Sequence, residues 1–125
     1  MQLTLETPGS ANVITAMERN RIKIGGQWLT GNLIVSADTL EPDWPATSAE
    51  TLEWPHLEPL VAMEPEIILI GTGAALRFPP AALSADVLGR GIGFEVMDTA
   101  AACRTYNILV TEQRRVVAGI LQPTN

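Results

Sequence analysis

The single cysteine, Cys103, and the single histidine, His56, are the residue types from which a nucleophile and its general base are made. A reactive thiolate needs a helix N-terminus or a neighbouring cation to lower its pKa. Cys103 falls beyond the first turn of the helix expected around it. With Ala102, Tyr106 and Val110 it forms an apolar stripe at helical spacing, so it reads as a packed thiol. Acid–base work would need paired carboxylates, and the sequence offers Glu64 with Glu66 and Glu95 with Asp98. Glu95 alternates with Phe94 and Val96, which turns it towards solvent. Asp98 stands where a carboxylate caps a helix by accepting from orphan backbone N–H groups. One histidine and one cysteine have no metal-ligand spacing, and no serine-centred elbow is present. Neither a catalytic residue nor a metal site follows from these residues.

Gly71-Thr72-Gly73 after an apolar run invites a dinucleotide reading. That chemistry needs a third glycine three residues on, and a helix that opens at the loop to receive the pyrophosphate. Leu76 stands at the third position, Pro79-Pro80 delays the helix, and no P-loop lysine follows. The segment is expected to be a tight turn, and no cofactor is expected.

Alternation and turn chemistry supply the elements that position these residues. Residues 13–17 are apolar, residues 21–24 alternate polar and apolar, and Gly25-Gly26 is a hairpin signal leading to a partner strand at 27–29. Thr30-Gly31-Asn32 turns the chain into a fully apolar strand at 33–35. Residues 38–50, with Pro42 and Pro45, read as a long loop in which Trp44 plugs the core. Residues 51–63 hold one or two helical turns, kept short by Pro55 and Pro59. Strand and helix then alternate: strands at 67–70, 94–97 and 116–121, and helices at 81–88 and from the Asp98-Thr99 cap to about residue 112. Parallel βαβ units follow from that order, with a hairpin added by the first half.

Length, charge and cysteine count bound the rest. A chain of 125 residues fits a single domain over residues 1–125. A net charge of −6, from 14 acidic and 8 basic side chains, opposes nucleic acid and anionic membrane surfaces as main partners. Arg104, Arg114 and Arg115 read as solvated charges near a helix end rather than a basic patch. One cysteine gives no internal disulfide, no apolar run approaches membrane-spanning length, and the first residues lack the pattern of a signal peptide. A cytoplasmic location without membrane insertion is the expectation.

The stretch Ile70-Gly71-Thr72-Gly73, Phe78-Pro79-Pro80, residues 91–99 (GIGFEVMDT) and residues 102–109 (ACRTYNIL) resembles one small domain family of unknown biochemical function. Its members include a mitochondrial respiratory complex I assembly factor, an adipogenesis-associated human protein and bacterial and archaeal hypothetical proteins. The resemblance is densest over residues 66–123 and reaches back to the 33–35 strand and Trp44. It departs at Glu112-Gln113-Arg114, where the family often has Glu-Gly-Arg and the glycine would supply a left-handed helix stop.

The resemblance implies an α/β fold: a three-layer sandwich with a central mixed, mostly parallel sheet plus an N-terminal β-hairpin layer. It also implies a non-enzymatic, protein-binding domain, an assembly factor for a membrane or respiratory complex, with the protein partner and the oligomeric state left open. The alternative is a small-molecule or anion-binding protein, or an uncharacterised enzyme, using the strand-end crevice at Gly71-Thr72-Gly73 and Asp98-Thr99. The candidate functional surface gathers Gly71, Thr72, Gly73, Arg77, Asp98, Thr99, Arg104, Thr105 and Asn107 at that sheet edge, with Tyr106 packing inward.

Overall fold

A computed structural model of the chain describes residues 11–123. Three antiparallel strands come first: β1 (Ile14–Glu18), β2 (Arg21–Ile24) and β3 (Gln27–Thr30), in the order β1-β2-β3. A five-stranded sheet is built from β4 (Leu33–Ser36), β5 (Leu40–Pro42), β6 (Ile67–Thr72), β7 (Gly93–Met97) and β8 (Val116–Leu121), in the order β5-β4-β8-β6-β7. β6 runs parallel to β7 and β8, whereas β4 is antiparallel to β5 and β8. The helices are α1 (Trp54–Val61), α2 (Ala81–Gly89) and α3 (Thr99–Thr111).

The period-2 alternation of strand side chains divides the core into two apolar sides. Leu33, Val35, Leu69, Ala118 and Ile120 face α3 and the small sheet, where they meet Ile14, Ile22, Ala102, Cys103 and Tyr106. Ile34, Ile68, Ile70, Val117 and Leu121 face the opposite way, onto Leu57 and Leu60 of α1 and Leu83 and Val87 of α2. This is the three-layer α/β arrangement expected from the sequence. α3 holds the small sheet by polar contacts as well as packing. The buried Asn107 carboxamide donates to the Ile14 carbonyl at 2.7 Å and accepts from the Ile14 N–H at 2.9 Å, as a neighbouring strand would. The Tyr106 hydroxyl donates to the Asn12 carbonyl at 2.8 Å.

Trp44 is buried as expected, with its indole N–H donating to the His56 carbonyl at 3.0 Å. Its ring lies against Gly119 of β8, where a Cβ would come within 2.6 Å of the ring edge.

Two expectations are corrected. Gly71 and Thr72 are the last residues of β6 rather than a turn; the chain leaves the sheet at Gly73, which alone of the three has a positive φ, 102°. Residues 38–50 contain the short strand β5, and its Pro42 is tolerated because β5 is a sheet edge. α1 is the short helix expected within residues 51–63, and Pro59 lies inside it: in so short a helix the donor it lacks would have reached only the carbonyl of Pro55, in the first turn.

α3 ends in a Schellman stop. The Gln113 N–H donates to the Val110 carbonyl and the Arg114 N–H to the Leu109 carbonyl, both at 2.9 Å. Gln113 takes the left-handed conformation, φ 61°, that glycine accepts without steric cost. Gln113→Gly should therefore raise stability by about 1 kcal/mol, seen as a higher urea midpoint at unchanged slope. An unchanged or lower midpoint would show that the Gln113 side chain stabilises the turn in some other way.

Candidate functional site

The parallel registers Gly71↔Met97 and Thr72↔Leu121 bring the ends of β6, β7 and β8 to one edge of the sheet. Thr99, the first residue of α3, is fully buried there. Its hydroxyl donates to the Leu121 carbonyl at 2.5 Å and accepts from the Gly73 N–H at 2.8 Å, while its own N–H donates to the Gly73 carbonyl at 2.9 Å. One side chain thus ties the start of a helix to the ends of two strands. Gly71 makes this possible, because a Cβ there would meet Thr99 Oγ1 at 3.0 Å and the Ala102 methyl at 3.1 Å.

Asp98 caps α3, its carboxylate accepting from the Ala101 N–H at 2.9 Å. Thr72 shapes the following loop: its hydroxyl donates to the Ala75 carbonyl at 2.7 Å and accepts from the Arg77 N–H at 3.2 Å. The Arg77 guanidinium lies 3.9 Å from the Glu50 carboxylate, both groups exposed. A polar cavity of about 290 Å³ opens here, lined among others by Ser48, Glu50, Thr72, Gly73, Arg77 and Gln122. Gln122 is 5% exposed, and both polar atoms of its carboxamide lack a hydrogen-bond partner among the described residues. Nothing in its sequence context distinguishes this glutamine, which sits between a strand and Pro123.

Of the nine residues singled out from the sequence, Gly71, Thr72, Gly73, Asp98 and Thr99 come together at this edge, and Arg77 stands at its rim. Arg104 and Thr105 lie beyond the first turn of α3, and Asn107 lies two turns down, bonded to Ile14. Cys103 and His56 are on opposite sides of the large sheet, so they form no dyad. Burial pushes the Cys103 thiol up to about 12, against a small opposing effect of the Arg104 charge. His56 instead accepts from the Glu53 N–H at 2.9 Å at the start of α1. Among the described residues, no group of acidic, histidine and cysteine side chains could hold a metal ion, and no helix is long and apolar enough to cross a membrane.

At the opposite end of β8, a cavity of about 470 Å³ lies between Asp38 and Arg114-Arg115. Its cations are already engaged: Arg114 pairs with Glu66 at 3.3 Å, and the Arg115 side chain donates to the Glu64 carbonyl at 3.3 Å. The Arg115 backbone N–H, aided by the Arg114 charge, holds the Glu66 carboxyl below its usual value.

A further surface, which the sequence reading did not single out, runs along β7. Phe78, 68% exposed, and Leu88, 54% exposed, flank an open groove between α2 and this strand. The one legible signal was an aromatic residue in the loop ahead of Pro79-Pro80.

Comparison with known proteins gives a consistent grouping. A family model described as a protein of unknown function (DUF498/DUF598) matches residues 14–121. A "13 kDa major membrane protein" of Francisella tularensis subsp. holarctica is 38% identical over 90 residues, covering 71% of this chain and 73% of that protein. The "NADH dehydrogenase [ubiquinone] 1 alpha subcomplex assembly factor 3" of Danio rerio is 30% identical over 101 residues, 76% of this chain but only 58% of that protein. A Xanthomonas campestris protein solved by NMR is 36% identical, with a TM-score of 0.82 over 99% of this chain and 94% of that one.

Two measurements probe this architecture. Thr99→Val leaves the Gly73 N–H and the Leu121 carbonyl unsatisfied and should cost about 3 kcal/mol, whereas Thr99→Ser should cost under ~1 kcal/mol. Equal losses for the two variants would remove the hydroxyl from its anchoring role. The Cys103 thiol of the native protein should react with a neutral thiol reagent at least ~100-fold more slowly than in urea. Comparable rates in the two states would show that the thiol is open to solvent.

Proposed function

The chain belongs to the DUF498/DUF598 family of proteins of unknown function, and on that premise we propose that it is a non-catalytic protein-binding domain that assists assembly of a membrane-bound respiratory complex. The observation that carries this reading is the exposed apolar side chains of Phe78 and Leu88 beside the β7 edge of the sheet. Apolar surface held in water is what a protein partner covers, whereas catalysis needs polar groups converging in a cleft. Similarity to the Danio rerio assembly factor supports the choice of process. We take its compartment to be the cytoplasm, with which a lone, buried Cys103 thiol is compatible. The partner would then be the exposed part of a membrane complex rather than the bilayer.

A second reading rests on the buried Gln122 carboxamide at the polar strand-end cavity. Two unpartnered polar atoms cost about 1–3 kcal/mol each, and a small ligand offering an acceptor and a donor side by side would satisfy both. Thr72, Gly73 and Arg77 would line that ligand's site, with Asp98 and Thr99 fixing the edge behind them.

The two readings separate in the native host. A strain lacking the chain should accumulate partly assembled forms of a membrane complex on native gels, and the tagged chain should co-purify with subunits of that complex. Normal assembly together with no recovered subunit would sink the assembly role. Binding of a small molecule that Gln122→Leu abolishes would favour the second reading.

A further inference from the structure

β7 is an edge strand whose only strand neighbour among the described residues is β6. The Gly93 N–H donates to the Glu66 carbonyl on the β6 side at 2.9 Å, and backbone groups alternate in direction along a strand. Glu95 and Met97 therefore also turn their backbone groups towards β6, while Phe94 and Val96 turn theirs outward, where no other strand among the described residues pairs with them. A row of unpaired N–H and C=O groups is a template for another strand. Natural sheets blunt such edges with proline, bulges or charged side chains; β7 has no proline and no bulge, and its one charge, Glu95, is the group that would choose the added strand.

A second, independent feature meets the same edge. On α2, Ala81, Ala85 and Leu88 recur at i, i+4 and i+7 and are exposed, while Leu83 and Val87 on the other face are buried against the sheet. With Phe78, this outer stripe forms one wall of the groove whose floor is Phe94 and Val96. An added strand would lay alternate side chains into that groove, and the intervening ones would stand beside the exposed Glu95.

Resting on the protein-binding reading above, we propose that β7 accepts an extended segment of the partner protein as a sixth strand, apolar where it faces the groove and carrying a Lys or Arg opposite Glu95. The charge selects against a second copy of this chain. Two copies paired antiparallel about the strand centre would set Glu95 against Glu95 in a non-hydrogen-bonded pair, the closest cross-strand position. The net charge of −6 adds repulsion between copies.

The probe is a capped nine-residue peptide of alternating Thr and Val whose central Thr is replaced by Lys; its control has Glu there. Amide hydrogen exchange and NMR titration read the outcome. In the free protein the Phe94 and Val96 amides should exchange faster than those of Glu95 and Met97. The Lys peptide should slow exchange at Phe94 and Val96 and bind at least ~fivefold more tightly than the Glu peptide. Glu95→Lys, an exposed change that leaves the fold intact, should reverse that preference. Val96→Pro removes one outward donor and no β6 bond, and should abolish binding.

Absence of new protection at Phe94 and Val96, or an unchanged preference in Glu95→Lys, overturns the proposal. So does a concentration-dependent dimer that protects the same two amides. In host cells, Val96→Pro should lose the complex subunits that the wild type recovers. If Val96→Pro recovers them equally, the edge proposal fails and the assembly reading stands. If the wild type recovers none and assembly is normal in its absence, the assembly reading itself fails.

Discussion

α3 lies as close as it does on the large sheet because β6 carries no side chain at Gly71, and the strand-end architecture is built on that bare backbone. The helix start comes close enough for Thr99 to reach the ends of both β6 and β8, and its hydroxyl closes two hydrogen bonds in a place from which water is excluded. Once Thr99 is fixed, Asp98 falls at the cap, Ala102, Cys103, Tyr106 and Val110 fall on the sheet, and Asn107 is carried round to meet β1. The small sheet is therefore placed by the same contact that places the helix.

The alternating second half was legible because strands and helices there have clean periods and clean ends: residues 67–70, 81–88, 94–97 and 116–121 all carry them. Other features were hidden for definite reasons. Glycine serves both turns and close approaches, so Gly71 read as a turn when its function is to let Thr99 in. β5 is three residues long and ends on a proline, too short for alternation to show. Gln113 takes a left-handed conformation that its residue type does not announce, because two backbone hydrogen bonds hold it there. At the candidate site, the strand-end residues were found from their types and spacing, but Gln122 was not, since an unpartnered carboxamide is visible only once its surroundings are known. Phe78 and Leu88 were missed because apolar residues are ordinarily assigned to the core, and exposure is settled by tertiary packing.

The two edges of the large sheet are treated differently. β5 is three residues long and ends on Pro42, and both features discourage another strand. β7 is longer, half-buried, and bordered by an apolar helix face that packs against nothing else among the described residues. An edge left open in this way is a hazard for a protein that works alone. For a protein that handles unassembled subunits it is a means of recognition, since main-chain pairing tolerates many sequences while the groove and Glu95 sort among them.

The position of β8 has a consequence for how the fold is reached. It is the last element in sequence among the described residues, yet it lies in the middle of the large sheet, between β4 and β6. A chain leaving the ribosome exposes Leu33–Ser36 and Ile67–Thr72 before the strand that joins them has been made, a wait of several seconds at ~5–20 residues per second. During that interval two apolar strands have unsatisfied edges and Trp44 has no Gly119 to rest on. Until Val116–Leu121 emerges, the nascent chain presents the same kind of open strand edge that the finished fold keeps at β7.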